Sequence, residues 1–129
     1  MLLVRAELRQ SPIEGIGLFA LEPLRAGMPI WRFQPGFDQL IAPEIAMRCN
    51  PWWLERYAQE CPLTGYWVLC CDDARFINHS DEPNLSQVAP LFDARFTHDA
   101  IRDIEAGDEI TCDYRIGDAR PFQAFEAAA

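Results

Sequence analysis

Ten consecutive residues, Arg75-Phe76-Ile77-Asn78-His79-Ser80-Asp81-Glu82-Pro83-Asn84, constrain this chain more than any other stretch. An apolar Phe-Ile pair runs directly into an amide, an imidazole and a hydroxyl, and then into Glu82-Pro83-Asn84. Pro83 fixes φ and removes a donor, so the last three residues read as a turn. Asn78, His79 and Ser80 together offer several donors and acceptors. Wherever these groups are buried, each needs a partner in backbone, water or ligand. Taken alone, the ten residues fit two readings. One is a strand end with a capping asparagine and a satisfied core histidine; the other is a ligand site built from the same groups.

Two further stretches point toward a ligand. Gly15-Ile16-Gly17 leads into Leu18-Phe19-Ala20, and two glycines one residue apart let the backbone approach a bound molecule closely. A tight turn into a strand uses the same pattern. It is no dinucleotide-binding fingerprint, because the third glycine and the following helix are missing. Gly107-Asp108-Glu109-Ile110-Thr111-Cys112-Asp113-Tyr114 reads as a turn and a last strand that ends on an aspartate and a tyrosine.

The rest of the chain reads as short strands with one helical insert. Residues 2–8 alternate weakly and suit a first strand, 28–33 form another, and Pro29 belongs at its start or on an edge. Residues 38–64 read as an insert of two short helices, an amphipathic pair that covers the sheet. Pro43 suits the first helical position before residues 44–48, and Asn50-Pro51 caps a second helix through about Gln59. Two adjacent tryptophans, Trp52 and Trp53, cannot both face the core comfortably. Residues 65–71 form a strong strand on which Cys70 and Cys71 face opposite sides. Residues 85–89 and 92–97 read as strands, His98 as an exposed loop histidine, and 115–129 as a short C-terminal segment containing Phe122 and Phe125. Long helices between strands are missing, so a parallel α/β fold is excluded and the expected class is mostly β.

At 129 residues the chain is a single domain, able to bury about two-thirds of its unfolded surface. Charge appears too early for a secretory apolar region, and no apolar run approaches the ~20 residues needed to span a bilayer. A soluble, cytoplasmic protein is expected. The net charge is −9, which disfavours direct contact with nucleic acid and would attract a basic partner, although solubility alone also accounts for it. Five cysteines in no C-x-x-C spacing read as reduced thiols, with no metal site expected.

The three stretches resemble, in order, the signature motifs of the SET-domain protein lysine methyltransferases. GIGLFALEPLRAGMPI at 15–30 resembles the first, RFINHSDEPN the third (RFxNHSCxPN) and GDEITCDY at 107–114 the fourth (GEELTFDY). The resemblance implies one SET-like domain over 1–129, with several short sheets around a knot-like centre, a small helical insert at about 38–64 and a flap at about 115–129. It implies S-adenosylmethionine as cofactor and lysine in a basic protein or peptide as acceptor. Membrane and direct nucleic-acid partners are not expected, and a homodimer would complete the groove.

Carried over residue by residue, Gly15, Ile16 and Gly17 contact the methionine portion of the cofactor through their backbone. Asn78 binds its methionine end, the His79 main chain meets the adenine, and Phe122 or Phe125 stacks on it. Tyr114 matches the catalytic tyrosine. Tyr66, with Tyr57 as second candidate, matches the tyrosine bordering the lysine channel. Cys112 falls where the family has a Phe or Tyr that limits how many methyl groups fit, and Trp53 would line the peptide groove. Two departures stand out. Asp81 replaces the usual cysteine and no cysteine follows Cys112, so the chain resembles the minimal form without zinc-binding regions. The small Cys112 implies tolerance of di- or trimethyl product. The chain contains no lysine, so a lysine methyltransferase of this sequence has no side-chain lysine of its own to modify. The alternative is a catalytically weak SET fold that binds a basic protein partner.

Overall fold

The computed structural model describes residues 1–62, 64–86 and 97–117. Along the chain run β1 (Ala6–Gln10), β2 (Ile16–Ala20), β3 (Pro29–Arg32), β4 (Gln39–Ile41), α1 (Pro43–Ala46), α2 (Pro51–Tyr57), β5 (Ala58–Glu60), β6 (Trp67–Leu69), β7 (Asn78–His79), β8 (Thr97–Asp99), β9 (Glu109–Cys112) and α3 (Tyr114–Gly117). A 3₁₀ turn, Asp73–Phe76, leads into β7. The strands form three small sheets ordered β1-β2-β9-β7, β3-β8 and β4-β6-β5. The class is mostly β, as expected.

The first hairpin sets its own register. The Ser11 N–H donates to the Gly15 carbonyl and Gly15 takes φ +40°, so Gln10 pairs with Ile16 and Ala6 with Ala20. The first strand is therefore displaced from the expected 2–8 to 6–10, and Leu2 keeps only an isolated bridge to Trp31. β2 lies between β1 and β9, and its Leu18, Phe19 and Ala20 are all buried. Leu18 and Ala20 join Ile30, Trp31, Leu24, Ile104 and Ile110 in the main core. Burial on this scale stabilises by roughly 1.5–3 kcal/mol for each large apolar side chain.

The insert departs from the sequence expectation. Asn50 does cap α2, its side chain accepting from Trp52 N–H at 3.1 Å. The helix nevertheless stops at Tyr57, and Ala58 turns extended at φ −110°, ψ 159°. Residues 58–60 then pair with β6 on one side, and 39–41 pair with it on the other. The insert supplies two short helices and the two outer strands of a three-stranded sheet, not a helical pair alone. It has its own small core of Ala46, Leu54, Ala58 and Leu69. Ala, Gln and Glu favour helix locally. The two open edges of β6 override that preference, because its backbone groups need partners.

Among the described strands, β7 and β9 form the one parallel pair, with Asn78 opposite Thr111 and His79 opposite Cys112. Asn84 locks this arrangement. Its carbonyl oxygen accepts from Thr111 N–H at 2.8 Å and its amide donates to the Glu109 carbonyl at 2.8 Å. Leu85 N–H donates to the Thr111 carbonyl. The turn after Pro83 thus brings an asparagine back as a buried backbone clamp on β9.

His98 is a correction. It is buried in the middle of β8, not exposed in a loop. β8 pairs with β3 so that His98 lies opposite Trp31, with the rings edge-on at 5.6 Å. The alternation along Thr97-His98-Asp99 turns the imidazole inward. Of the expected strands at 85–89 and 92–97, most residues lie outside the described ones, as do Phe122, Phe125 and the flap beyond residue 117.

Candidate functional site

Tyr114 follows directly on β9, one residue past Asp113, and opens α3. Its hydroxyl donates to the Ile77 carbonyl at 2.5 Å across 37 residues of sequence. Its main-chain N–H donates to His79 Nδ1 at 3.1 Å, and the two rings lie 5.4 Å apart. The third and fourth motif-like stretches therefore meet at Tyr114, because the β7–β9 pairing places them side by side.

Tyr114 lines a small cavity of about 50 Å³, together with Trp31, Tyr57, Cys70, Ile77, His98 and Cys112. Three titratable groups of the wall are kept neutral, while the Arg56 and Arg75 guanidiniums also line it. Burial pushes the Cys112 thiol up to about 12, with Asp113 adding to the effect. Burial raises Cys70 further still, with Asp38 and Asp72 contributing. Burial lowers His98 to about 4, against a hydrogen bond to the Ser86 carbonyl. Desolvation acts in each case against the charged form. The Trp31 indole N–H in the same wall is buried without a hydrogen-bond partner.

The glycine loop sits on the far side of β7. Asn78, buried, sends its amide nitrogen to the Glu14 carbonyl at 3.0 Å, the Ile16 carbonyl at 3.3 Å and Glu109 Oε2 at 2.9 Å. Ser11 donates to the same carboxylate at 2.7 Å. A Cβ on Gly17 would stand 2.4 Å from Glu109 Oε2 and 3.0 Å from the Asn78 amide. A side chain at 17 would displace the Glu109 carboxylate and press on the Asn78 amide, so glycine lets the loop backbone lie directly on that pair.

The structure gathers most of the residues named from sequence. Tyr114 and Cys112 share the cavity; Gly15, Ile16 and Gly17 surround Asn78; His79 contacts Tyr114. Tyr66 stands apart, 38% exposed, and is not in the cavity wall. Of the two candidate tyrosines, Tyr57 is the one that reaches the wall. Trp53 is also outside the wall; it packs against Tyr57 at 5.2 Å and under the Arg75 guanidinium at 5.9 Å. Trp52 is 66% exposed, so neither tryptophan is a core residue. Phe122 lies outside the described residues. Sequence reading missed Glu109, the anchor shared by Ser11 and Asn78, and His98 in the cavity. The signal for Glu109 was its place at the start of an alternating strand, two residues after Gly107; for His98 it was the Thr-His-Asp alternation.

Beside Tyr114 lies a ring of titratable groups. His79 Nε2 is 3.0 Å from Asp81 Oδ1 and its Nδ1 is 3.7 Å from Asp113 Oδ1. Arg115 reaches Asp113 at 2.8 Å and Asp81 at 3.3 Å. The hydrogen bonds from Arg115 hold the Asp113 carboxyl below its usual range. Among the described residues no group of histidine, cysteine and carboxylate side chains is arranged to hold a metal ion.

The SET domain family model matches residues 15–115. Among solved structures, the polycomb repressive complex 2 of Chaetomium thermophilum is similar, with TM-score 0.68 and 26% identity over 92% of this chain and 16% of that one. The ctPRC2 structure in an autoinhibited conformation bound to S-adenosylmethionine gives TM-score 0.69 and 24% identity over 91% of this chain and 16% of that one. A ctPRC2 complex with H3K27me3 and H3K27M gives 0.65 and 25% over 86% and 14%. This chain therefore spans about one-sixth of the first of these relatives, 16% of its length. No match emerges among curated proteins. With the family match running from the glycine loop through Tyr114 and the same fold in those structures, the chain belongs to the SET-domain family.

Proposed function

We propose that the protein transfers a methyl group from S-adenosylmethionine to the side-chain amine of lysine in a basic protein substrate. The observation that carries this reading is the cavity: the wall that presents Tyr114 also keeps a thiol and an imidazole neutral. A lysine amine entering it meets the same desolvation. An ammonium has no lone pair to donate, and free lysine holds its proton up to about pH 10.4. Burial in this wall shifts that balance toward the neutral amine, and the Arg56 and Arg75 guanidiniums that also line it oppose a second positive charge.

The residues present fit the cofactor. The loop at Gly15–Gly17 lies on Asn78 with no side chain intervening at residue 17, and its backbone with the Asn78 amide forms one polar rim. These residues and the His79 main chain would hold the cofactor. When bound, it supplies the electrophilic methyl group. The Tyr114 hydroxyl donates its hydrogen bond to the Ile77 carbonyl, which leaves the oxygen lone pairs to accept from the amine N–H and orient its lone pair. Ile77 and Cys112 exclude water from that point. Holding both reactants in line supplies much of the rate.

The acidic surface, net −9, favours a basic substrate, in line with one similar structure being a complex with H3K27me3. Cys112 leaves more room than an aromatic residue would, which supports di- or trimethyl products. The test is transfer of labelled methyl from S-adenosylmethionine to a mixture of lysine-rich basic proteins, run beside Tyr114→Phe. Transfer to lysine that the variant loses is expected. Cofactor binding without transfer to any lysine would count for a binding module instead.

A further inference from the structure

Tyr114 is held at both ends, and the partner of its main chain is a titratable side chain. A backbone N–H can only donate, so His79 Nδ1, 3.1 Å away, is the acceptor and carries no proton. The imidazole proton is then on Nε2, which faces Asp81 Oδ1 at 3.0 Å. Asp81 is itself bridged by Arg115 to Asp113. We propose that His79 is the positioning residue for Tyr114, fixing the tyrosine's main chain as a neutral imidazole whose tautomer is set by Asp81.

The groups facing His79 define what acid does to this arrangement. Asp81 comes from the loop after β7; Asp113, Tyr114 and Arg115 come from the end of β9 and α3. A proton taken from solvent onto Nδ1 removes the only lone pair that Tyr114 N–H uses there. The new N–H points at a carboxylate already near, Asp113 Oδ1 at 3.7 Å. The imidazolium exchanges its bond to Tyr114 for an ion pair with Asp113 and keeps Asp81 on its other face. Tyr114 loses its main-chain anchor, and the hydroxyl that orients the amine moves with it. An Asp81 replacement removes the acceptor that keeps the imidazole proton on Nε2, so the neutral ring is free to carry that proton on Nδ1 instead.

The experiment is a pH titration of the full ¹⁵N-labelled chain by NMR, following the Tyr114 amide and the imidazole nitrogens between about pH 8 and about pH 5. The chain has two histidines, and they serve as mutual references. His98 Nδ1 donates to the Ser86 carbonyl, so its neutral tautomer is opposite to that of His79. Expected are an unprotonated His79 Nδ1 at high pH, a Tyr114 amide that moves on the His79 curve, and in Asp81→Ala a His79 that carries part of its proton on Nδ1 already at high pH, with the remaining amide spectrum intact. A proton on Nδ1 at high pH, or a Tyr114 amide that follows a different curve, overturns the proposal. The inference rests on the proposed function only for the task given to Tyr114. Where transfer is measured, kcat should fall about tenfold or more across the same range with KM little changed; a change in KM alone would overturn it. Absence of transfer at every pH would count against the proposed function, while the NMR titration still decides this inference.

Discussion

The Tyr114 hydroxyl donates to the Ile77 carbonyl, a contact that joins the end of β9 to the residue just before β7. Both residues line the same cavity. Removing the hydroxyl leaves that carbonyl without its partner and the amine without its acceptor. Tyr114→Phe should cost about 1–3 kcal/mol in stability and lower methyl transfer by about 100-fold or more. Cofactor affinity should change little, because the glycine loop and Asn78 are untouched. Chemical denaturation, calorimetry with S-adenosylmethionine and the transfer assay check the three parts separately.

Gly17→Ala tests the cofactor side. The new methyl group would collide with Glu109 Oε2 and Cδ, at 2.4 and 2.8 Å, and push that carboxylate off Ser11 and Asn78. The expected loss is about 1–3 kcal/mol of stability from overpacking together with weakened cofactor binding. Gly36→Ala serves as the control. Its Cβ meets nothing within 4 Å, and only its φ of +83° opposes the change. It should cost about 1 kcal/mol and leave calorimetric cofactor affinity as it was.

Cys112 is buried with its thiol pushed up to about 12, so at neutral pH it is a small apolar wall and not a nucleophile. In the native protein it should resist alkylation by iodoacetamide at pH 7.5 while reacting after unfolding, as read by mass spectrometry. Cys112→Tyr fills part of the cavity and should shift the product toward monomethyl-lysine. An unchanged product distribution would refute the role given to this position.

His98 predicts an acid limb of stability. Its folded value of about 4 lies below the ordinary 6.5, so between these two pH values the unfolded chain binds a proton that the native chain refuses. Stability from this group is intact above about pH 6.5 and falls as the pH drops toward about 4, by about 3 kcal/mol in all. His98→Phe keeps the ring beside Trp31 and removes the proton site. Its stability should be lower at pH 7 through the lost Ser86 bond, yet should fall less on acidification. Denaturation curves at neutral pH and at about pH 4.5 for both proteins decide this.

Sequence alone determined the features whose physics is local. Pro83 and Asn84 had to turn, Asn50 had to cap a helix begun by Pro51, and Gly17 had to admit a close approach. The Ile-Thr-Cys alternation marked β9, and the three motif-like stretches named Tyr114, Asn78 and His79. Tertiary structure decided which of these groups touch. Residues 58–60 carry helix-favouring side chains and became a strand because β6 left an edge open. His98 went inward because β8 paired with β3 in a register that set it against Trp31. Tyr57, not Tyr66, reached the cavity because α2 ends against that wall. The Tyr114–Ile77 and Tyr114–His79 bonds exist because β7 and β9 run parallel side by side. Side-chain pattern specifies which residues favour a strand or a turn; it does not specify which edge pairs with which, and the site is made at those edges.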